Sequence, residues 1–76
     1  MKLRDLVFRL SAHWEIFALS EWDRNTGKEI SWGTWHTIGQ LEDYIAGEDW
    51  EVGWYDVVNV RPMSGGHGLH IIVARA

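Results

Sequence analysis

The chain has 76 residues, a net charge of −4 and no cysteine, which excludes a disulfide framework or a thiolate metal site and leaves apolar packing to hold one small domain, residues 1–76. Residues 1–6 carry charges where a signal peptide is apolar, and no long apolar run follows, so we expect a cytoplasmic protein without a membrane-spanning segment. Residues 29–60 contain seven acids and no Lys or Arg, which argues against direct binding of nucleic acid.

The first predicted element is a short amphipathic helix over residues 2–10. Its apolar residues recur at positions i, i+3, i+4 and i+7, the spacing of one helix face. They are Leu3, Leu6, Val7 and Leu10. Because a helix this short is not stable alone, we expect it to pack on a sheet.

A β-hairpin is predicted next, from two segments rich in aromatic and branched residues, 13–22 and 28–36. The intervening residues 23–27 read Asp-Arg-Asn-Thr-Gly, a composition typical of a turn. We expect Asp23 to face Lys28 across this turn.

That register predicts which side chains share a face of the hairpin. Phe17 and Leu19 should lie with Trp32 on one face, and Trp22 should lie with Trp35 on the other. Both faces are then apolar, which is unusual for a sheet with one solvated face.

The second predicted helix spans residues 38–46. Thr37 and Gln40 fit a capping box at its start, and Gly47 follows where a left-handed C-terminal residue is common. Ile38, Leu41 and Ile45 should form its buried stripe.

The segment Trp50–Val60 is the longest strand-like run and is predicted to be the central strand, with Trp54 in the core. Residues 61–68 contain Pro and several Gly and should connect it, outside any strand, to a final strand over 69–74.

Together these elements predict a small α+β domain of two layers, in the order α-β-β-α-β-β. The simplest packing is a mainly antiparallel four-stranded sheet with two short helices on one face.

The sequence contains few residues that could bind a metal or phosphate or take part in catalysis. His67 and His70 have a zinc-like spacing, but no cysteine or second His pair completes a tetrahedral set. Gly65 to Gly68 lack the following helix and the Lys-Ser/Thr of a phosphate loop. We therefore expect no cofactor, no metal and no enzyme activity, and the alternative is a small enzyme or ligand-binding domain that uses the Gly/His loop of residues 61–70.

The number of tryptophans and the acidic segment instead indicate a surface that binds a protein partner. Six tryptophans are more than the core of so short a chain can enclose, and aromatic side chains are favoured anchors of interfaces. An acidic face either keeps the protein in solution or complements a basic partner. The predicted partner-binding residues are Glu42, Asp43, Glu48, Asp49, Glu51, Trp22 and Trp35.

The predicted function is therefore a non-enzymatic protein-protein interaction module. Its small size, acidity and aromatic content are broadly similar to those of phage and mobile-element products that block host proteins, including anti-restriction and anti-CRISPR proteins. This similarity implies an inhibitor of a host nucleic-acid-handling protein. We also expect a homodimer, because a doubly apolar hairpin and an exposed strand edge can pair two copies.

Overall fold

The computed structural model of the chain describes residues 1–10, 15–47, 50–63 and 65–75. The predicted order of helices and strands is confirmed, and the starting residues 13 and 14 predicted for the first strand lie outside the described residues. The helices are α1 (Leu3–Val7), α2 (Ile38–Ala46) and a 3-10 helix (Val52–Trp54), and the strands are β1 (Ile16–Asp23), β2 (Lys28–Trp35), β3 (Asp56–Pro62) and β4 (Gly68–Ala74).

The four strands form one mixed sheet in the order β2-β1-β4-β3. Each hairpin is antiparallel, but the two central strands, β1 and β4, run parallel. The expectation of a mainly antiparallel sheet was therefore wrong at its centre. α2 and the 3-10 helix return the chain to the end of the sheet at which β2 begins, so β3 runs in the direction of β2, and β4 then runs in the direction of β1.

One face of the sheet is covered by both helices. The core between these layers contains Phe17 and Leu19 from β1, with Leu69, Ile71 and Val73 from β4. The helices and the 3-10 helix contribute Leu3, Val7, Leu41, Ile45 and Val52. We call this the covered face of the sheet and the opposite one the open face.

The segment Trp50–Val60 is not the central strand. β3 begins only at Asp56 and lies at an edge of the sheet, where Val58 and Val60 are exposed. β4 occupies the centre because it is apolar on both faces. Ile71 is fully buried under the helices, and Ile72 on the open face is 3% exposed.

Residues 52–54 form a 3-10 helix instead of a strand. Successive amide groups donate to carbonyl oxygens three residues earlier, from Gly53 to Trp50, from Trp54 to Glu51 and from Tyr55 to Val52. Gly53 is buried, and a methyl group on its α-carbon would lie 3.6 Å from Arg4 and from Ile45. These are ordinary van der Waals distances, so the turn packs closely between Arg4 of α1 and Ile45 of α2, and Trp54 at its end is half exposed.

Asp23 faces Lys28 as predicted, but Trp35 lies on the face opposite to the expected one. Ser31 pairs with Ser20 and Gly33 pairs with Leu19, so Trp32 is an extra residue on β2. A bulge of this kind reverses the alternation of the residues beyond it. Trp35 therefore sits opposite Phe17 on the covered face, where its ring centre is 4.6 Å from that of Tyr44.

The first residues of the chain lie along the outer edge of β3. The Val57 amide donates to the Met1 carbonyl over 2.8 Å, and the Leu3 amide donates to the Tyr55 carbonyl over 2.9 Å. The Lys2 ammonium contacts the Asp56 carboxylate at 2.8 Å. This pairing positions α1 over the sheet.

From the composition of the core we predict that Phe17→Ala unfolds most of the protein at a urea concentration at which Trp54→Ala remains folded. Phe17 is fully buried and Trp54 is half exposed. Loss of the phenyl ring should cost about 3–5 kcal/mol, a large part of the ~4–11 kcal/mol expected for a chain of this length. Urea denaturation of both variants measures the difference, and equal midpoints would contradict this assignment of the core.

From the Lys2–Asp56 contact we predict that the pKa of Asp56 depends on the Lys2 ammonium group. A hydrogen bond from Lys2 holds the pKa of Asp56 below its ordinary value of 3.8. Because the folded pKa is the lower one, the ion pair persists above the unfolded pKa and is lost as pH falls through the folded pKa. A carboxyl NMR titration should show Asp56 titrating at higher pH in Lys2→Met than in the parent, and identical curves would refute the contact.

Candidate functional site

An exposed aromatic groove lies on the helical side of the molecule. Phe8 and Trp50 are each 58% exposed and Trp54 is 50% exposed, and they line one groove of about 250 Å³. Its floor is formed by Ile45, Ala46 and Gly53. The Arg4 guanidinium also lines the groove and lies 4.5 Å from the centre of a Trp54 ring, a cation–π distance. We call this surface the aromatic groove.

Three elements converge to build the aromatic groove. Phe8 is the residue after α1 and points away from the apolar stripe of that helix. Trp50 precedes the 3-10 helix and Trp54 is its last residue, and Val52 between them is fully buried and anchors that turn. The outward position of both indole rings is thus a consequence of burying Val52 and Gly53.

The acidic residues divide into paired and unpaired groups. Of the seven acids between residues 29 and 60, Glu29 is bound by Arg61 at 2.8 Å and Asp56 by Lys2 at 2.8 Å. Within the described ranges, Glu42, Asp43 and Glu51 form no ion pair. Glu51 follows Trp50 in the sequence and Glu42 lies one helical turn before Ala46, so both are close in sequence to the aromatic groove, whereas the charged residue that lines it is Arg4.

The residues predicted from the sequence as partner-binding do not form one surface. Trp35 lines a shallow cavity with Asp43, Gln40 and Tyr44, beside α2. Trp22 is exposed on the open face, on the other side of the sheet. The predicted residues Glu48 and Asp49 lie outside the described residues.

The open face carries its own polar cluster. Arg61 on β3 reaches Glu29 on β2 across this face, and together with Trp22 and Val58 they surround the buried Ile72. The ion pair therefore joins the two edge strands across the open face of the sheet.

A serine–histidine contact lies beside that ion pair. The Ser20 hydroxyl and the His70 Nε2 atom are 2.8 Å apart, and Ser20 is nearly buried. His70 also lines a shallow cavity of about 450 Å³ with Arg61, Pro62 and Met63. A nucleophile and its base need this contact, but they also need a group that orients the base and donors that hold an oxyanion.

Only the middle of the Gly/His loop, between Pro62 and Gly68, connects β3 to β4. Arg61 and Pro62 belong to β3 and Gly68 begins β4, so the prediction that residues 61–68 lie outside any strand was wrong at both ends. The Met63 amide donates to the Gly68 carbonyl over 2.8 Å, and Gly65 and Gly66 have positive φ angles of 93° and 76°. His67 is exposed in this turn. Across the described residues, no group of three or more His, Asp or Glu side chains could hold a metal ion.

Sequence reasoning missed the three aromatic residues of the groove. Phe8 falls off the apolar stripe of the first helix, a signal of exposure. Trp50 and Trp54 are four residues apart, a spacing that places both on one side of a helical turn as well as on one face of a strand. Their strand-like composition favoured the second interpretation.

Comparison of the chain with protein-family models, with curated proteins and with solved structures gives no match. In the part of the chain that the structure describes, no helix is long and apolar enough to cross a membrane.

The Ser20–His70 contact predicts a structural contribution from the hydroxyl group. Ser20→Ala should lower the free energy of unfolding by about 0.5–1.5 kcal/mol, the value of a typical hydrogen bond. Ser31→Ala is the matched control, because Ser31 faces Ser20 on the neighbouring strand but is exposed. Urea unfolding of the two variants tests this, and an unchanged Ser20→Ala midpoint would argue against a structural contact.

Proposed function

We propose that the chain is a non-enzymatic protein-binding module that holds a basic partner protein at the aromatic groove. The observation that carries this proposal is the grouping of Phe8, Trp50 and Trp54, each at least half exposed, around one concavity. Contiguous exposed apolar surface usually marks an interaction site. Tryptophan is also among the residues that contribute most to binding when buried in an interface.

Charge favours a basic partner over a neutral one. Glu42, Asp43 and Glu51 form no ion pair within the described ranges, and Glu42 and Glu51 are close in sequence to residues that line the aromatic groove. A partner that presents arginine or lysine could place a cation near these carboxylates and against an indole ring. The Arg4 guanidinium already lies 4.5 Å from the centre of a Trp54 ring and adds a positive charge to the groove, so the attraction for a basic partner must come from the three carboxylates.

The basic proteins most common in cells bind nucleic acids, so the proposed partner is a nucleic-acid-handling protein. The chain would act as an inhibitor by covering part of that basic surface, as phage and mobile-element inhibitors of the anti-restriction and anti-CRISPR type do. Direct binding of nucleic acid is not part of the proposal, because unpaired carboxylates would repel phosphates. Self-association into a homodimer is a second part of the proposal.

A ligand-binding role for residues 61–70 is the alternative function. The shallow cavity at His70 and Arg61 supports it, together with the Ser20–His70 contact. The aromatic groove is favoured over this site, because His70 and Arg61 are already engaged by Ser20 and Glu29.

The test compares three immobilised proteins: the parent chain, the double variant Trp50→Ala/Trp54→Ala and Trp22→Ala. Trp22 is the matched control, since it is exposed on the other side of the sheet. A synthetic arginine-rich peptide serves as a defined basic probe. Its affinity should fall at least roughly tenfold in the double variant and stay unchanged in Trp22→Ala. Proteins captured from a host lysate, quantified by mass spectrometry, should follow the same pattern.

Charge is tested separately with Glu42→Gln/Asp43→Asn/Glu51→Gln. These exchanges keep side-chain shape, so thermal unfolding should be unchanged while association becomes slower and less dependent on salt. Equal affinity of the parent and the double tryptophan variant for both the peptide and the captured proteins would exclude the aromatic groove as the binding site.

A further inference from the structure

The two edges of the sheet differ in their capacity to pair with another strand. We propose that β2 is a pairing edge, at which two copies of the chain join through antiparallel β2 strands into one continuous sheet. This inference rests on the proposed self-association and is independent of the basic partner.

Amide groups along the outer edge of β3 already donate hydrogen bonds within the chain or, at proline, are missing. The Val57 amide donates to the Met1 carbonyl over 2.8 Å. The Val60 amide donates to the Asn59 side-chain oxygen over 2.9 Å. Pro62 has no amide hydrogen, and a bulge at Val58 interrupts the strand. These features are ways in which proteins protect an exposed edge from pairing.

The outer edge of β2 lacks this protection. β2 contains eight residues and no proline, and its first four residues are all exposed. Among the described residues, no backbone hydrogen bond or bridge joins residues 28–35 to a segment other than β1. Its bulge at Trp32 leaves the segment Lys28–Ser31 in regular pairing with β1. Half of the backbone groups of that segment therefore face outward and can pair with another strand.

A second copy of β2 fits this edge. A two-fold axis at Ile30 places Ile30 against its symmetry mate, Glu29 against Ser31 and Lys28 against Trp32. No like charges are then opposed, and Ile30, which is 49% exposed, gains an apolar neighbour. Because the β3 edge is blocked, pairing ends at two copies with eight strands and does not continue into a fibre.

The β2 contact and the proposed binding of a basic partner should depend on salt in opposite ways. The segment Lys28–Ser31 is neutral overall, and Glu29 is already bound by Arg61. Each copy nevertheless has a net charge of −4, so two copies repel one another at longer range. Added salt should strengthen dimerisation, whereas it should weaken binding of a basic partner.

The experiment is sedimentation equilibrium of the parent, Ile30→Lys and Val60→Lys. Val60 is the matched control, because it is an exposed, β-branched residue on the opposite edge. The parent should be a dimer at roughly 100 µM. Ile30→Lys should raise the dissociation constant at least about tenfold, because it opposes two ammonium groups, and Val60→Lys should leave it unchanged.

A cysteine version keeps the test independent of how well Ile30→Lys folds. The parent has no cysteine, so Ile30→Cys introduces a single thiol close to the proposed axis. Mild oxidation should give a disulfide-linked dimer for Ile30→Cys and mainly monomer for Val60→Cys. A monomeric parent would overturn both self-association and the β2 contact. A dimeric parent that only Val60→Lys dissociates would overturn the β2 contact alone.

Discussion

Burial of β4 on both faces is the constraint on which the rest of the fold depends. Ile71 and Val73 pack under the helices, while Ile72 and Ala74 are nearly inaccessible on the open face. A strand of this kind is stable only between two neighbours, so β4 takes a central position beside β1 and displaces β3 to the edge. The parallel pair at the centre, the long crossover through α2 and the exposed valines of β3 all follow from this arrangement.

Features governed by local chemistry were predictable from the sequence. The cap at Thr37 is present, since its hydroxyl accepts a hydrogen bond from the Gln40 amide, and α2 has its predicted bounds. The Gln40 side chain accepts from the His36 amide instead of completing a capping box with Thr37, and Gly47, with a φ of −119°, is not left-handed. The hairpin turn is present as well, with Asp23 opposite Lys28. In both cases a few neighbouring residues determine the backbone. The first helix was also predicted, although it ends at Val7 rather than at Leu10.

Features decided by tertiary packing were not predictable in the same way. The choice between a strand and a turn at residues 50–54 depends on where buried Val52 and Gly53 pack between the two helices. The bulge at Trp32 depends on partners distant in sequence. Its indole donates to Glu21, a nearly buried carboxylate that also accepts from Arg75. The aromatic groove could not be predicted for the same reason. Its residues come from the end of α1 and from the 3-10 turn, which lie together only in the folded chain.

The Arg61–Glu29 ion pair has a consequence for the open face. Both side chains are partly solvated, so the pair itself adds little stability. Its geometric effect is larger, because two charged side chains from opposite edges, with Trp22 and Val58, shelter Ile72 where no helix covers it. Among the described residues, these side chains partly cover the open face in place of a third layer of secondary structure. Loss of either charged side chain would expose Ile72 beside Trp22 and Val58 and so enlarge the apolar surface of the open face.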